Sequence, residues 1–247
     1  MATQLPIGDL VIEVVRKDIK NVHLSVYPPD GRVRIAAPRR MKLDTIRVFG
    51  VGKLAWIREQ QQKLAAQPRE TRPEFVERES HYVWGRRYLL NIVQDDGLQR
   101  VELKHNRIVL HVRPGTTVER RAELMAHWRR QLLREEATKL VANWQKRLGV
   151  TANRLLIQSM KTQWGSCNPK TRNIRLNTEL SKKPKQCLDY IILHELAHLL
   201  VPNHGDDFLK LLGSNLPHWR SIRRHLNELP LPVIEAKPTA ATKRLAA

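Results

Sequence analysis

The sequence predicts an α+β fold, in which a β-rich N-terminal part with one helix precedes a largely helical part that carries a small sheet. Three observations lead there. Short runs of β-branched residues separated by turn signals recur through the first 113 residues. A long stretch at 118–148 switches the apolar period from two to 3.6. A segment at 189–201, apolar at 190–193 and 199–201 and free of Gly and Pro until Pro202, then reads as a buried helix, with only two strand candidates ahead of it. The parts accordingly run 1–113, 114–229 and 230–247.

Residues 10–15 and 22–27 are strand-like, Pro28-Pro29-Asp30-Gly31 is a turn, and 32–37 continues as a strand. There Val33, Ile35 and Ala37 alternate with Arg32, Arg34 and Ala36, which gives one buried face and one basic face. One helix is expected over 43–66, starting near Asp44 or Thr45, with Ile46, Phe49, Leu54, Ile57 and Leu64 as its apolar stripe. Gly50-Val51-Gly52 would bend it. Residues 67–72 are polar and follow a proline-flanked pattern, as in a linker or exposed loop.

From 82 to 112 the spacing suggests a meander, with strands at 82–84, 88–93, 100–104 and 108–112. Its turns fall at Asp95-Asp96-Gly97 and His105-Asn106, and Arg86 and Arg87 follow Gly85 in another short turn. The helix at 118–148 buries a stripe from Val118 through Met125, Trp128, Ala137 and Val141 to Trp144. Its other face carries Arg120, Arg121, Arg129, Arg130 and Arg134, and Gly149 closes it. Strand candidates at 155–160 and 173–176 flank Trp164-Gly165-Ser166-Cys167. Pro184 opens the next helix in the first-turn position, with Ser181 as its cap candidate. Short helices follow at 206–212 and from Pro217; the second points Trp219, Ile222 and Leu226 inward and Arg220, Arg223 and Arg224 outward. The tail at 230–247 is rich in Pro, Ala and Lys and is expected to be disordered.

Bulk composition narrows the partners. The 247 residues carry 44 Lys+Arg against 24 Asp+Glu, a net charge of +20 that attracts polyanions such as nucleic acid or nucleotides. Such a surface also serves a soluble protein with no dedicated partner. Two cysteines, Cys167 and Cys187, argue against a disulfide scaffold and fit a reduced compartment. No apolar run of about 18 residues exists and the N-terminus has no signal-peptide pattern, so a cytoplasmic protein without a membrane partner is expected.

The chemistry concentrates at His194-Glu195-Leu196-Ala197-His198. Residues four apart on a helix share a face, so both imidazoles can reach one metal ion, with Glu195 beside it as a base for water. The pattern arises by chance in about one chain in a hundred, but chance matches lack an apolar helical frame and a downstream ligand. Two histidines leave zinc under-coordinated. His204 is the nearest third ligand, since Pro202 ends the helix and Asn203-His204-Gly205 turns back; Asp206, Asp207, His218, His225 and Glu228 compete with it. Cys167 suits a supporting role beside this helix better than that of a nucleophile.

Several blocks together carry a family resemblance: PPDGRVRIAAP (28–38), WGRRYLL (84–90), MKTQWGSC (160–167), IRLNTEL (174–180), DYIILHELAHLLVPNHGDDF (189–208) and PHWRSIRRHL (217–226). The chain resembles the YgjP-like zinc metallopeptidase-type family, relatives of the SprT-like proteases. The resemblance implies Zn2+ on His194, His198 and His204, a catalytic Glu195, and a zincin-like arrangement of active-site helix and small sheet. Gly205-Asp206-Asp207-Phe208-Leu209 stands where such proteins often have a small residue and then Phe-Trp, which alters the rim.

The expected activity is that of a zinc-dependent metallohydrolase, a peptidase that acts on a protein or peptide. Glu195 would take the proton of a metal-activated water and pass it to the leaving nitrogen. Tyr190, Arg172 and Arg220 are candidates to steady the oxyanion, and Asp189, Asp206 and Asp207 to orient the imidazoles. Two alternatives keep the same residues: a phosphohydrolase acting on a nucleotide phosphoanhydride, and a nucleic-acid-binding adaptor with structural zinc.

Overall fold

The computed structural model describes residues 2–27, 31–66, 69–161 and 163–230. The Pro28-Pro29-Asp30 part of the expected turn and the tail at 231–247 lie outside the described residues. The chain divides into two compact units, one within residues 1–70 and the other spanning 71–229. The first unit ends at 70 and the second begins at 71, so residues 80–112 lie in the second unit. The reason is local: the backbone N–H groups of Trp84 and Gly85 donate to the carbonyls of Ser181 and Lys182, at 2.9 and 3.0 Å. These bonds tie the sheet of residues 80–112 to the helical part that follows.

The first unit holds β1 (Ala2–Ile7), β2 (Leu10–Lys17), β3 (His23–Tyr27) and β4 (Arg32–Pro38), paired in the order β1-β2-β4-β3 with β2 and β4 parallel. The period-two reading of β4 holds, since Val33, Ile35 and Ala37 are buried. Strand β1 has no counterpart in the sequence reading. Pro6 argues against a strand, yet it is tolerated because β1 is an edge strand, and Leu5 and Ile7 are buried from there. The single helix expected over 43–66 is two, α1 (Leu43–Val51) and α2 (Leu54–Ala66). Gly50 meets Ile7 closely, for a Cβ there would lie 2.6 Å from Ile7 Cδ1.

In the second unit β5 (Ser80–Val83), β6 (Arg86–Gln94), β7 (Arg100–Leu103) and β8 (Arg107–Val112) pair in the order β5-β6-β8-β7. This is not a meander, because β8 inserts beside β6 and runs parallel to it. Ile108, Val109 and Leu110 are all buried, as suits a strand with neighbours on both edges. Arg86 and Arg87 open β6; the turn before them is Trp84-Gly85, both at positive φ (50° and 78°), which joins Val83 to Arg86 in a two-residue hairpin.

Helix α3 (Val118–Leu148) matches its expected bounds. Thr117 accepts the N–H of Arg120 at its start, and Gly149 closes it in the left-handed region. One member of the outward arginine row is misplaced. Arg129 is buried, and its guanidinium donates to the Tyr82 carbonyl at 2.8 Å. The last sheet has the order β10-β11-β9, from β9 (Arg154–Gln158), β10 (Gly165–Asn168) and β11 (Asn173–Asn177). A 3-10 turn (Thr178–Lys182) leads into α4 (Lys185–Ala197), and α5 (Asp206–Asn215) and α6 (Trp219–Glu228) complete the unit. Ser181 does not cap α4; it is buried in the 3-10 turn with its hydroxyl donating to the Thr178 carbonyl.

Helix α4 is apolar nearly all round because it is covered on several sides. Leu188, Ile192, Leu193 and Leu196 are fully buried in a core shared with α3, α5, α6 and β11. A polar anchor fixes it to α3: the indole N–H of Trp144 donates to Asp189 at 2.6 Å.

Candidate metal centre

Helix α4 delivers His194 and Glu195 from its last turn, and His198 lies just past its end at the C-cap position. Pro202-Asn203 then turns the chain so that His204 returns to the same place. One ligand nitrogen from each of His194, His198 and His204 can be chosen so that all lie within 4.8 Å of one another. Nε2 of His204 stands 3.1 Å from Nε2 of His194, close to the spacing of about 3.3 Å that a tetrahedral zinc–imidazole site requires. Among the described residues, none of the competing ligands joins this cluster. His218 sits at the start of α6, and Asp206 and Asp207 are exposed in the first turn of α5.

Phe208 supports the three rings from behind. It is fully buried, and its centroid lies 5.0, 4.8 and 4.8 Å from those of His194, His198 and His204. The sequence reading gave it no role, although its place on α5 four residues after His204 was the available clue. His198 directs Nδ1 to the Val201 carbonyl at 3.3 Å. Nδ1 of His194 is buried with no partner among the described residues. The acidic orienting groups expected from sequence do not serve here: Asp189 holds Trp144, and Asp207 faces Lys210 at 3.9 Å.

Electrostatics favour neutral imidazoles, the form that binds a cation. Burial, and then the neighbouring His198, His204 and Arg223, push His194 down to about 4. Burial likewise lowers His198. The donor set therefore fits zinc, which takes neutral nitrogen ligands in a compact cluster.

Glu195 is 6% exposed and opens onto the same cleft of about 360 Å³ as the three histidines. Burial pushes its carboxyl up to about 8, against a hydrogen bond from the Cys167 backbone that favours the ionised form. Its space exists because residue 165 is glycine. A Cβ there would lie 2.7 Å from Glu195 Oε1 and 2.8 Å from its Cγ. Strand β10 therefore positions the carboxylate by backbone alone, which no side-chain pattern announces. The Cys167 thiol is pushed up to about 11 by burial and by Glu195, so it stays protonated at neutral pH and is no nucleophile.

Of the oxyanion candidates, Tyr190 lines the cleft. Arg172 donates to the Thr151 carbonyl at 2.6 Å, and the Arg220 guanidinium lies 4.6 Å from the centre of the Trp219 ring.

A protein-family model described as YgjP-like, metallopeptidase domain, matches residues 20–229. No curated protein matches the chain. Two solved structures are similar over a part of it. The metallopeptidase zymogen jannalysin of Methanocaldococcus jannaschii is 27% identical over 36% of this chain and 92% of its own, with a TM-score of 0.34. Abylysin of Pyrococcus abyssi, also a metallopeptidase zymogen, is 22% identical over 39% of this chain and 99% of its own, with a TM-score of 0.35.

Proposed function

Since the chain belongs to the YgjP-like metallopeptidase family, we propose that it is a zinc-dependent peptidase in which His194, His198 and His204 hold the ion and Glu195 is the general base. The observation that carries this reading is the convergence of three imidazoles and one buried carboxylate on a single cleft. On this reading the arrangement is zincin-like, with α4 as the active-site helix and β9, β10 and β11 as the small sheet. Zinc bound there supplies a Lewis acid for the scissile carbonyl and lowers the pKa of water toward about 7.

The chain's own residues do the rest. Glu195 takes the proton of the attacking water and returns it to the leaving amine. Its raised affinity for a proton in the metal-free cleft suits a group that must hold one in transit. Gly165 and the Cys167 N–H keep the carboxylate in place. A peptide is the best-supported substrate because β10 is an edge strand whose residues Gly165, Ser166 and Cys167 line the cleft. An extended chain can lie along such an edge and exchange backbone hydrogen bonds with it.

Zinc-loaded protein incubated with casein tests the reading. Cleavage that disappears in Glu195→Gln, with zinc still bound, is the expected result. Full activity in that variant would remove Glu195 as the base.

A further inference from the structure

A second pocket, of about 400 Å³, adjoins the cleft and shares Tyr190, His194 and His204 with it. Phe208, Leu209 and Leu212 from α5 and Trp219 from α6 give it an apolar lining. Two polar side chains join them, Tyr190 from α4 and Arg223 from α6, and none of the lining residues is acidic. Tyr190 is 4% exposed, yet its hydroxyl has no hydrogen-bond partner among the described residues. Arg223 is exposed and makes no ion pair among them. The Trp219 indole N–H is buried without an acceptor there. Arg220, one turn away, lies against the Trp219 ring, whereas Arg223 is free to reach the pocket.

An apolar pocket with a cationic fork, a spare hydroxyl and no carboxylate lacks one thing: an anionic acceptor on an apolar body. Arginine meets a carboxylate through two parallel N–H groups, a match that lysine cannot reproduce. We infer that Arg223 and Tyr190 form a specificity-determining subsite for a peptide carboxylate next to the cleaved bond, with the attached apolar group seated against Phe208, Leu212 and Trp219. The inference rests on the peptidase reading and sharpens it. The carboxylate has two sources in a peptide, the chain terminus and an acidic side chain.

The test begins with binding, so that turnover is not needed. 3-Phenylpropanoate and its amide are titrated calorimetrically into the metal-free full-length protein, which removes direct ligation of the acid by zinc. The acid should bind at least about tenfold tighter than the amide, a preference that Arg223→Gln abolishes and Arg223→Lys only partly keeps. Equal binding of acid and amide, no binding of either, or an unchanged preference in Arg223→Gln overturns the inference. Zinc-loaded protein is then given peptides with a free or amidated C-terminus, and with Glu or Gln beside the cleaved bond. The carboxylate that is recognised should lower KM in the wild type, and Arg223→Gln should raise that KM with kcat changed less than about twofold. A uniform fall in kcat on every peptide would make Arg223 a transition-state group and overturn the subsite. Absence of any hydrolysis overturns the peptidase reading, a failure distinct from loss of the acid-over-amide preference.

Discussion

Replacing Gly165 by alanine tests how the base is held. Gly165 pairs with Leu176 in the β10–β11 ladder, so the backbone there is fixed on one side. The added methyl would lie 2.7 and 2.8 Å from two atoms of Glu195 and 2.9 Å from Ile191 Cγ2. Each contact is at least about 0.5 Å shorter than ordinary carbon packing allows. Ile191 belongs to the buried core of α4, which leaves the Glu195 side chain as the group that must move. Overpacking of this kind costs about 1–3 kcal/mol, or about 2–4 °C in melting temperature for each kcal/mol in a unit of this size. Displacement of the carboxylate by about 1 Å lowers kcat about 100-fold. Zinc content should not change, because the three histidines are untouched. The matched control is Gly213→Ala in α5, where a Cβ meets nothing within 4 Å and the helix should gain about 0.5–1 kcal/mol. Wild-type melting and wild-type kcat in Gly165→Ala would refute the claim that this glycine makes room for the base.

Three further outcomes follow from the same geometry. In metal-free protein Glu195 has its proton affinity raised from 4.5 to about 8 in the fold, so its contribution to stability is full below 4.5 and lost as pH rises toward 8. At about 1.4 kcal/mol per pH unit that loss approaches 4 kcal/mol, and Glu195→Gln should melt increasingly above the metal-free wild type between pH 5 and 8; a gap that stays constant with pH contradicts it. Trp144→Phe removes the donor to Asp189 and should cost about 1–3 kcal/mol in denaturant unfolding, with no loss refuting that bond as the anchor between α3 and α4. Arg129→Met leaves the Tyr82 carbonyl without this donor and should destabilise the 71–229 unit by at least about 2 kcal/mol, whereas an exposed arginine would tolerate the change.

Legibility in the sequence followed the range of the interaction. Helix α3 could be read because Gly149 and a long 3.6 period lie in or next to the segment itself, whereas the Thr117 cap at its start emerges from the structure. The His194–His198 spacing could be read for the same reason, and His204 because a proline turn sits between. What escaped depends on partners distant in sequence or on main chain. The pairing of β8 with β6 is set by tertiary burial, which hairpin signals do not encode. Strand β10, with Gly-Ser-Cys-Asn as its sequence, has little β propensity and is held by its pairing with β11. Arg129 lies where the period marks the edge of the outward face, yet the Tyr82 carbonyl draws it inward. Arg223 is exposed, as the period of α6 implies, and what the period does not show is that Phe208, Leu209 and Leu212 of α5 line the same pocket as Arg223.

The most direct measurement is a zinc titration against a competing chelator, run on the wild type, Glu195→Gln and His204→Ala. One zinc per chain is expected in the first two with similar affinity, and a loss of more than about 100-fold in His204→Ala. Wild-type affinity in His204→Ala, or no stoichiometric zinc in the wild type, would contradict a centre built from His194, His198 and His204.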